Sequence, residues 1–129
     1  MVAAMTFKEG KPIYVQIADR LCDEILAGAY AADQRVPSVR EYSVLLEVNV
    51  NTTVKAYDHL AQRGVIYNRR GMGYFVAPDA PGLIRAERRR AFTDEAMPDV
   101  FRQMRLLGIG ADELLAHWKE WDEKHPDNR

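Results

Sequence analysis

The sequence predicts a mainly α fold with a small β-hairpin: a winged helix-turn-helix followed by a C-terminal helical dimerisation arm. Three observations carry that reading. Helical apolar periodicity recurs in three stretches between residues 13 and 63. Two short β-rich runs then bracket a glycine-containing loop. Beyond Pro78 the composition is helical again, with no strand run. At 129 residues, 47% hydrophobic and 29% charged, the chain suits one small domain with an appendage and is too apolar for wholesale disorder.

Pro12 stands just before the first helix, where its fixed φ suits a helix start. Ile13, Ile17, Leu21 and Ile25 recur every four residues, so 13–27 reads as an amphipathic helix ending at Gly28. Tyr30 to Val36 reads as a connector. Ser38 and Glu41 have the spacing of a reciprocal cap, in which each side chain bonds the other's backbone N–H. A short helix follows to about Leu46, with Tyr42, Leu45 and Leu46 inward. Val48, Asn49 and Val50 are weak helix formers and Asn49 is a good N-cap, so a turn belongs there. The third helix runs from about Val50 to Arg63 and stops at Gly64. Its inner face is Thr53, Ala56, Tyr57 and Leu60, and its opposite side carries Asn49, Asn51, Thr52 and Lys55. Val65 to Asn68 and Tyr74 to Ala77 then alternate as strands around Arg69 to Gly73.

The stretch 78–82, Pro-Asp-Ala-Pro-Gly, reads as a linker, dividing a domain at 1–77 from an arm at 83–124 and a polar tail at 125–129. Arg88, Arg89 and Arg90 read as a solvated helix face. At Pro98 two readings stay open: a long helix kinks, or a new one begins with Asp94 as its cap. Val100, Phe101, Met104 and Leu107 form one apolar stripe. Leu114, Leu115, Trp118 and Trp121 form another after the break at Gly108 to Gly110. So short an arm is too small to bury these side chains alone, so they are expected to pair with a second copy.

The remaining composition mostly excludes. There is no run of about 18 apolar residues, so no membrane helix is expected. The start, MVAAMTFKEG, lacks the charge and apolar pattern of a secretory signal. A single cysteine, Cys22, gives neither an internal disulfide nor a cysteine zinc site, and points by default to the cytoplasm. His59, His117 and His125 lack metal-ligand spacing, so no metal or cofactor is expected. No nucleophile elbow, phosphate-cradling loop or paired His–carboxylate motif suggests an enzyme.

The net charge of −1 hides an uneven placement. Between Arg35 and Tyr74 lie six basic residues against three acidic ones. A capped short helix, a tight turn and a third helix with polar first turns form a DNA-reading unit. Ser38 and Arg40 start the second helix, where free amides and a guanidinium suit a phosphate. Asn49, Asn51, Thr52 and Lys55 suit the major groove, where an asparagine pairs with adenine and small side chains permit close approach. Arg69 and Arg70 suit the DNA backbone or minor groove, with Gly71 and Gly73 keeping the loop thin. The bland readings stand beside these: Asn49 as a cap only, Arg40 paired with Glu41 or Glu47, the loop arginines as solvated charge, and Tyr14, Tyr57, Trp118 and Trp121 as packing.

The runs Arg35 to Glu41, Val48 to Thr52, Lys55-Ala56-Tyr57, Leu60, Gly64-Val65-Ile66 and Arg70 to Val76 together resemble the GntR family of bacterial transcription regulators. The resemblance covers residues 12–77 nearly end to end. The short helical tail is similar to the YtrA-type branch, which lacks a larger effector-binding domain. The resemblance implies that Arg40, Asn49, Asn51, Thr52, Arg70 and Gly71 lie at a DNA surface, and it implies repression. Two positions depart from the family pattern. Thr53 replaces an aliphatic core residue, and Val50 replaces a proline or arginine, removing a possible phosphate contact. The expected partners are double-stranded DNA, at a palindromic operator, and a second copy of the chain. No effector is assigned. The alternatives are a winged helix used for protein interaction, or a sensor holding a small ligand between dimer arms.

Overall fold

In the computed structural model, which describes residues 7–126, Ile17, Leu21 and Ile25 become the buried face of helix α1 (Ile13–Leu26). Residues 1–6, most of the stretch read for a leader, and 127–129 of the expected polar tail lie outside the described residues. Ile13, expected on the stripe, is exposed, and Gln16 is buried instead. Its burial is tolerated because every polar end is paired. Its side-chain oxygen accepts from the Lys8 amide at 2.8 Å, and its nitrogen donates to the Lys8 and Lys11 carbonyls at 2.9 Å.

Helix α2 (Val39–Leu46) and helix α3 (Val50–Gln62) meet at a sharp turn. Glu47 adopts the left-handed conformation (φ 56°), and the Val48 amide donates back to the Ser43 carbonyl at 3.0 Å. This ends α2 and lets Asn49 start α3. Tyr42 and Leu46 are inward as expected, whereas Leu45 is exposed and Ser43 takes its place. A buried serine is acceptable there because its hydroxyl donates to the Val39 carbonyl at 2.7 Å. On α3 the expected face is buried in full: Thr53, Ala56, Tyr57 and Leu60.

Strands β1 (Ile66–Arg69) and β2 (Gly73–Val76) pair antiparallel, with Ile66 opposite Val76 and Arg69 opposite Gly73. The connector before α2 does more than the sequence suggested. It runs along the free edge of β2: the Val36 amide donates to the Tyr74 carbonyl at 3.0 Å, and the Val76 amide to the Gln34 carbonyl at 2.9 Å. That pairing covers an edge the hairpin would otherwise leave open.

The expected linker at 78–82 is corrected. Helix α4 (Ala80–Ala91) starts inside it, and Ala80 and Ile84 are fully buried in the core of the first unit. Proline and glycine misled here because Pro81 sits in the helix's first turn, where a missing N–H costs nothing. The chain divides between Glu87 and Arg88 instead, and the Arg63 Nε donates to the Glu87 carboxylate at 2.8 Å within the first unit.

The second unit contains a π-helical turn (Phe92–Ala96), helix α5 (Met97–Leu107) and helix α6 (Ala111–Lys124). Pro98 lies in the first turn of α5, and Asp94 lies inside the wide turn before it rather than capping. A proline cannot donate to the carbonyl four residues back, and a π turn is one way for the chain to accommodate that without breaking. Neither α5 nor α6 has a buried residue among those described.

Candidate nucleic-acid interface

The start of α2 is built by the predicted reciprocal cap. The Glu41 amide donates to Ser38 Oγ at 3.0 Å, and the Ser38 amide donates to Glu41 Oε1 at 2.8 Å. These bonds from Ser38, backbone first, hold the Glu41 carboxyl below its ordinary pKa. Helix geometry leaves the Val39 and Arg40 amides as donors for an outside acceptor. Arg40 is exposed and pairs with neither Glu41 nor Glu47; it has no ion-pair partner among the described residues.

Arg35, which the sequence did not single out as a site residue, takes the acidic partner instead. Its Nη1 lies 3.6 Å from Glu41 Oε1, and its Nε donates to the Met72 carbonyl at 3.1 Å. One guanidinium therefore spans from the cap of α2 to the tip of the hairpin.

Asn49 caps α3, its side-chain oxygen accepting from the Asn51 amide at 2.7 Å. Its amide group and the exposed Asn51 side chain remain at the surface, with Thr52 half-buried beside them. Lys55 is less free than expected: its ammonium sits 4.4 Å from the centre of the Tyr14 ring, which also meets His59 edge-on. Tyr57 ties the helix to what surrounds it. Its hydroxyl donates to the Pro37 carbonyl at 2.7 Å, and its ring packs edge-on against Tyr74 of β2 at 5.2 Å. Burial raises the pKa of Tyr57 and Tyr42 far above the ordinary phenol value, so both remain neutral donors.

At the hairpin tip the Met72 amide donates to the Arg69 carbonyl at 2.8 Å, closing a turn with Gly71 at φ 77°. A β-carbon on Gly71 would meet open space, whereas one on Gly73 would lie 3.1 Å from Arg35 Nε. Gly73 thus makes room for the Arg35 guanidinium. Arg70 and Met72 are exposed at the tip, and the Arg69 guanidinium lies over the Phe75 ring at 5.1 Å. The tip therefore offers Arg70 as its unengaged cation among the described residues.

The residues expected to pair copies lie on α5 and α6. Val100, Phe101, Leu107, Leu114, Leu115, Trp118 and Trp121 are all exposed, with Met104 partly so. Trp118 and Trp121 stack at 5.7 Å, and Trp121 stacks on His125 at 4.4 Å. Among the described residues no cluster of His, Cys, Asp or Glu could hold a metal ion, and no helix is long and apolar enough to cross a membrane.

Comparison with known proteins matches this arrangement. Residues 13–76 match the family model described as bacterial regulatory proteins, gntR family. The HTH-type transcriptional repressor YtrA of Bacillus subtilis is 27% identical over 113 residues, covering 88% of this chain and 86% of that one. A crystal structure of a GntR-family transcriptional regulator from Bacteroides thetaiotaomicron is 44% identical, with a TM-score of 0.79 over 88% of this chain and 98% of that one. A crystal structure of AraR(DBD) in complex with operator ORX1 is 26% identical, with a TM-score of 0.53 over 59% of this chain and 96% of that one.

Proposed function

The chain belongs to the GntR family of bacterial regulatory proteins and is a DNA-binding transcriptional regulator rather than an enzyme, and from that premise we propose that it is a repressor that binds a palindromic operator as a homodimer. One observation carries the dimer. The arm exposes two tryptophans, two leucines on α6 and the Val100–Phe101 stripe on α5, with no buried residue on either helix. Contiguous exposed apolar stripes of that kind mark an interaction surface. A self-complementary surface closes a two-fold dimer, and two-fold symmetry presents two recognition helices to an inverted repeat.

In this reading Ser38, Arg40 and the start of α2 take a phosphate. Asn49, Asn51, Thr52 and Lys55 belong to the major-groove side, and Arg69, Arg70, Gly71 and Gly73 form the wing that meets the backbone or minor groove. Repression follows the resemblance to YtrA, a transcriptional repressor. The cytoplasm is the compartment this implies.

Sedimentation of the full chain at micromolar concentration tests the dimer, with Leu115→Glu/Trp118→Glu expected to sediment as a monomer. Duplexes recovered from a random-sequence pool by the full chain test the operator, and inverted repeats are expected. A reporter placed downstream of a recovered site should fall when the chain is expressed. A monomeric full chain would remove the dimer, unsymmetric sites the palindrome, and a rising reporter the repression.

A further inference from the structure

Helix α3 carries two apolar side chains that its core face leaves largely exposed. Val50 and Val54 are 42% and 40% exposed, away from the buried Thr53-Ala56-Tyr57-Leu60 face. They are one turn apart, so they are neighbours on the helix surface, and the exposed Asn51 lies in the same first turns. Valine is a weaker helix former than the polar residues that usually cover an exposed face. Two of them here cost helix propensity and still leave about two-fifths of their surface in solvent. Such local inconsistency is what a binding surface produces, because the partner supplies the missing burial. The Lys55 ammonium beside them rests on the Tyr14 ring.

We propose that Val50 and Val54 are specificity-determining residues that contact the 5-methyl groups of thymines in the major groove of each half-site. The argument rests on the DNA-binding reading above. The apolar feature that distinguishes a base pair in the major groove is the thymine methyl, and apolar side-chain groups are the ones that contact it. The shape fits as well: a β-branched side chain is stiff at χ1, so its two methyls are already placed when the helix docks. Val50 therefore has a use of its own. Where the family pattern has proline or arginine, this chain exchanges a possible charge contact for an apolar one.

Deoxyuridine differs from thymidine only in lacking the 5-methyl group, which makes the test direct. A duplex recovered from a random-sequence pool by the full chain is remade with each thymine replaced in turn by deoxyuridine, and affinities are read by fluorescence anisotropy. Burying one methyl-sized group corresponds to about fourfold in affinity. The wild-type chain should lose about that factor at two positions in each half-site. Val50→Ala and Val54→Ala should each lose a similar factor on the thymine duplex and stop distinguishing thymine from uracil at one of those positions. Both positions are exposed, so both variants should melt like the wild type. Equal wild-type affinity for every substituted duplex overturns the proposal while leaving the DNA-binding reading intact. Variants that still distinguish the two bases overturn it also. Failure to recover any preferred duplex would remove the DNA-binding reading itself, and this inference with it.

Discussion

Arg35 Nε donates to the main-chain carbonyl of Met72, 3.1 Å away and 37 residues along the chain. The same guanidinium approaches Glu41, which closes the cap of α2. The wing tip and the start of α2 are thus referred to one side chain, which fixes where Arg70 lies relative to Arg40. Positioning of that kind is what a two-point grip on DNA needs, because backbone contacts set the register in which bases are read.

The two wing glycines should therefore differ. An alanine at Gly71 meets only the left-handed backbone, costing about 1–2 kcal/mol. An alanine at Gly73 meets that strain and also crowds Arg35 Nε, and displacing the guanidinium loses a further hydrogen bond of about 1 kcal/mol. In an Arg35→Ala background that second part should vanish. Thermal unfolding of the three single variants and the two double variants, each against the wild type, measures it; strictly additive costs would sink the coupling.

Thr53 offers a gain. It is fully buried and its hydroxyl oxygen has no hydrogen-bond partner. An unsatisfied buried polar group costs about 1–3 kcal/mol, so Thr53→Val, which keeps the shape, should stabilise the chain by about 1 kcal/mol. Denaturant unfolding checks the sign. A loss would mean that the hydroxyl has a partner in solution.

What the sequence made legible was local. The Ser38–Glu41 cap, the core face of α3 and the glycine-bearing hairpin tip each depend on residues within a few positions of one another. The misses are long-range. Residues 33–36 become a strand-like edge only because β2 arrives beside them. The stretch from Ala80 looked like a linker because Pro81 and Gly82 advertise a turn, yet Ala80 and Ile84 find a core made by distant helices. Lys55 could be placed on the polar side of α3 from its spacing, but its contact with the Tyr14 ring of α1 is long-range and could not.

Acid should weaken α2 through Glu41. Its folded-state pKa is lowered, chiefly by the bonds from Ser38 and then by Arg35. A carboxyl with a depressed folded pKa contributes stability above its unfolded value, about 4.3, and loses it as pH falls through the folded value. Glu41→Gln keeps a side chain able to reach the Ser38 amide but removes the titration. The melting temperature of wild type over Glu41→Gln should be greatest near neutral pH and shrink below about pH 4. A difference independent of pH would show that the charge plays no part.

The last prediction separates positioning from reading. Arg40 is exposed, without a partner among the described residues, beside the free amides of α2, whereas Asn51 is exposed in the first turn of α3. A phosphate contact is indifferent to sequence, while a lost base-edge pair costs about 1–3 kcal/mol on the correct base alone. Arg40→Ala should then weaken binding to a recovered duplex and to random DNA alike, and reduce the salt slope by about one per subunit. Asn51→Ala should leave the slope nearly unchanged and shrink the ratio of specific to random binding. Lys55→Met should do neither strongly, because the ammonium already rests on Tyr14. Fluorescence titrations of both duplexes at several salt concentrations read all three variants. If Arg40→Ala lost affinity for the recovered duplex alone, with its slope intact, α2 would be reading bases. If Asn51→Ala changed nothing, base reading would pass to other side chains of α3, with Val50 and Val54 first among them.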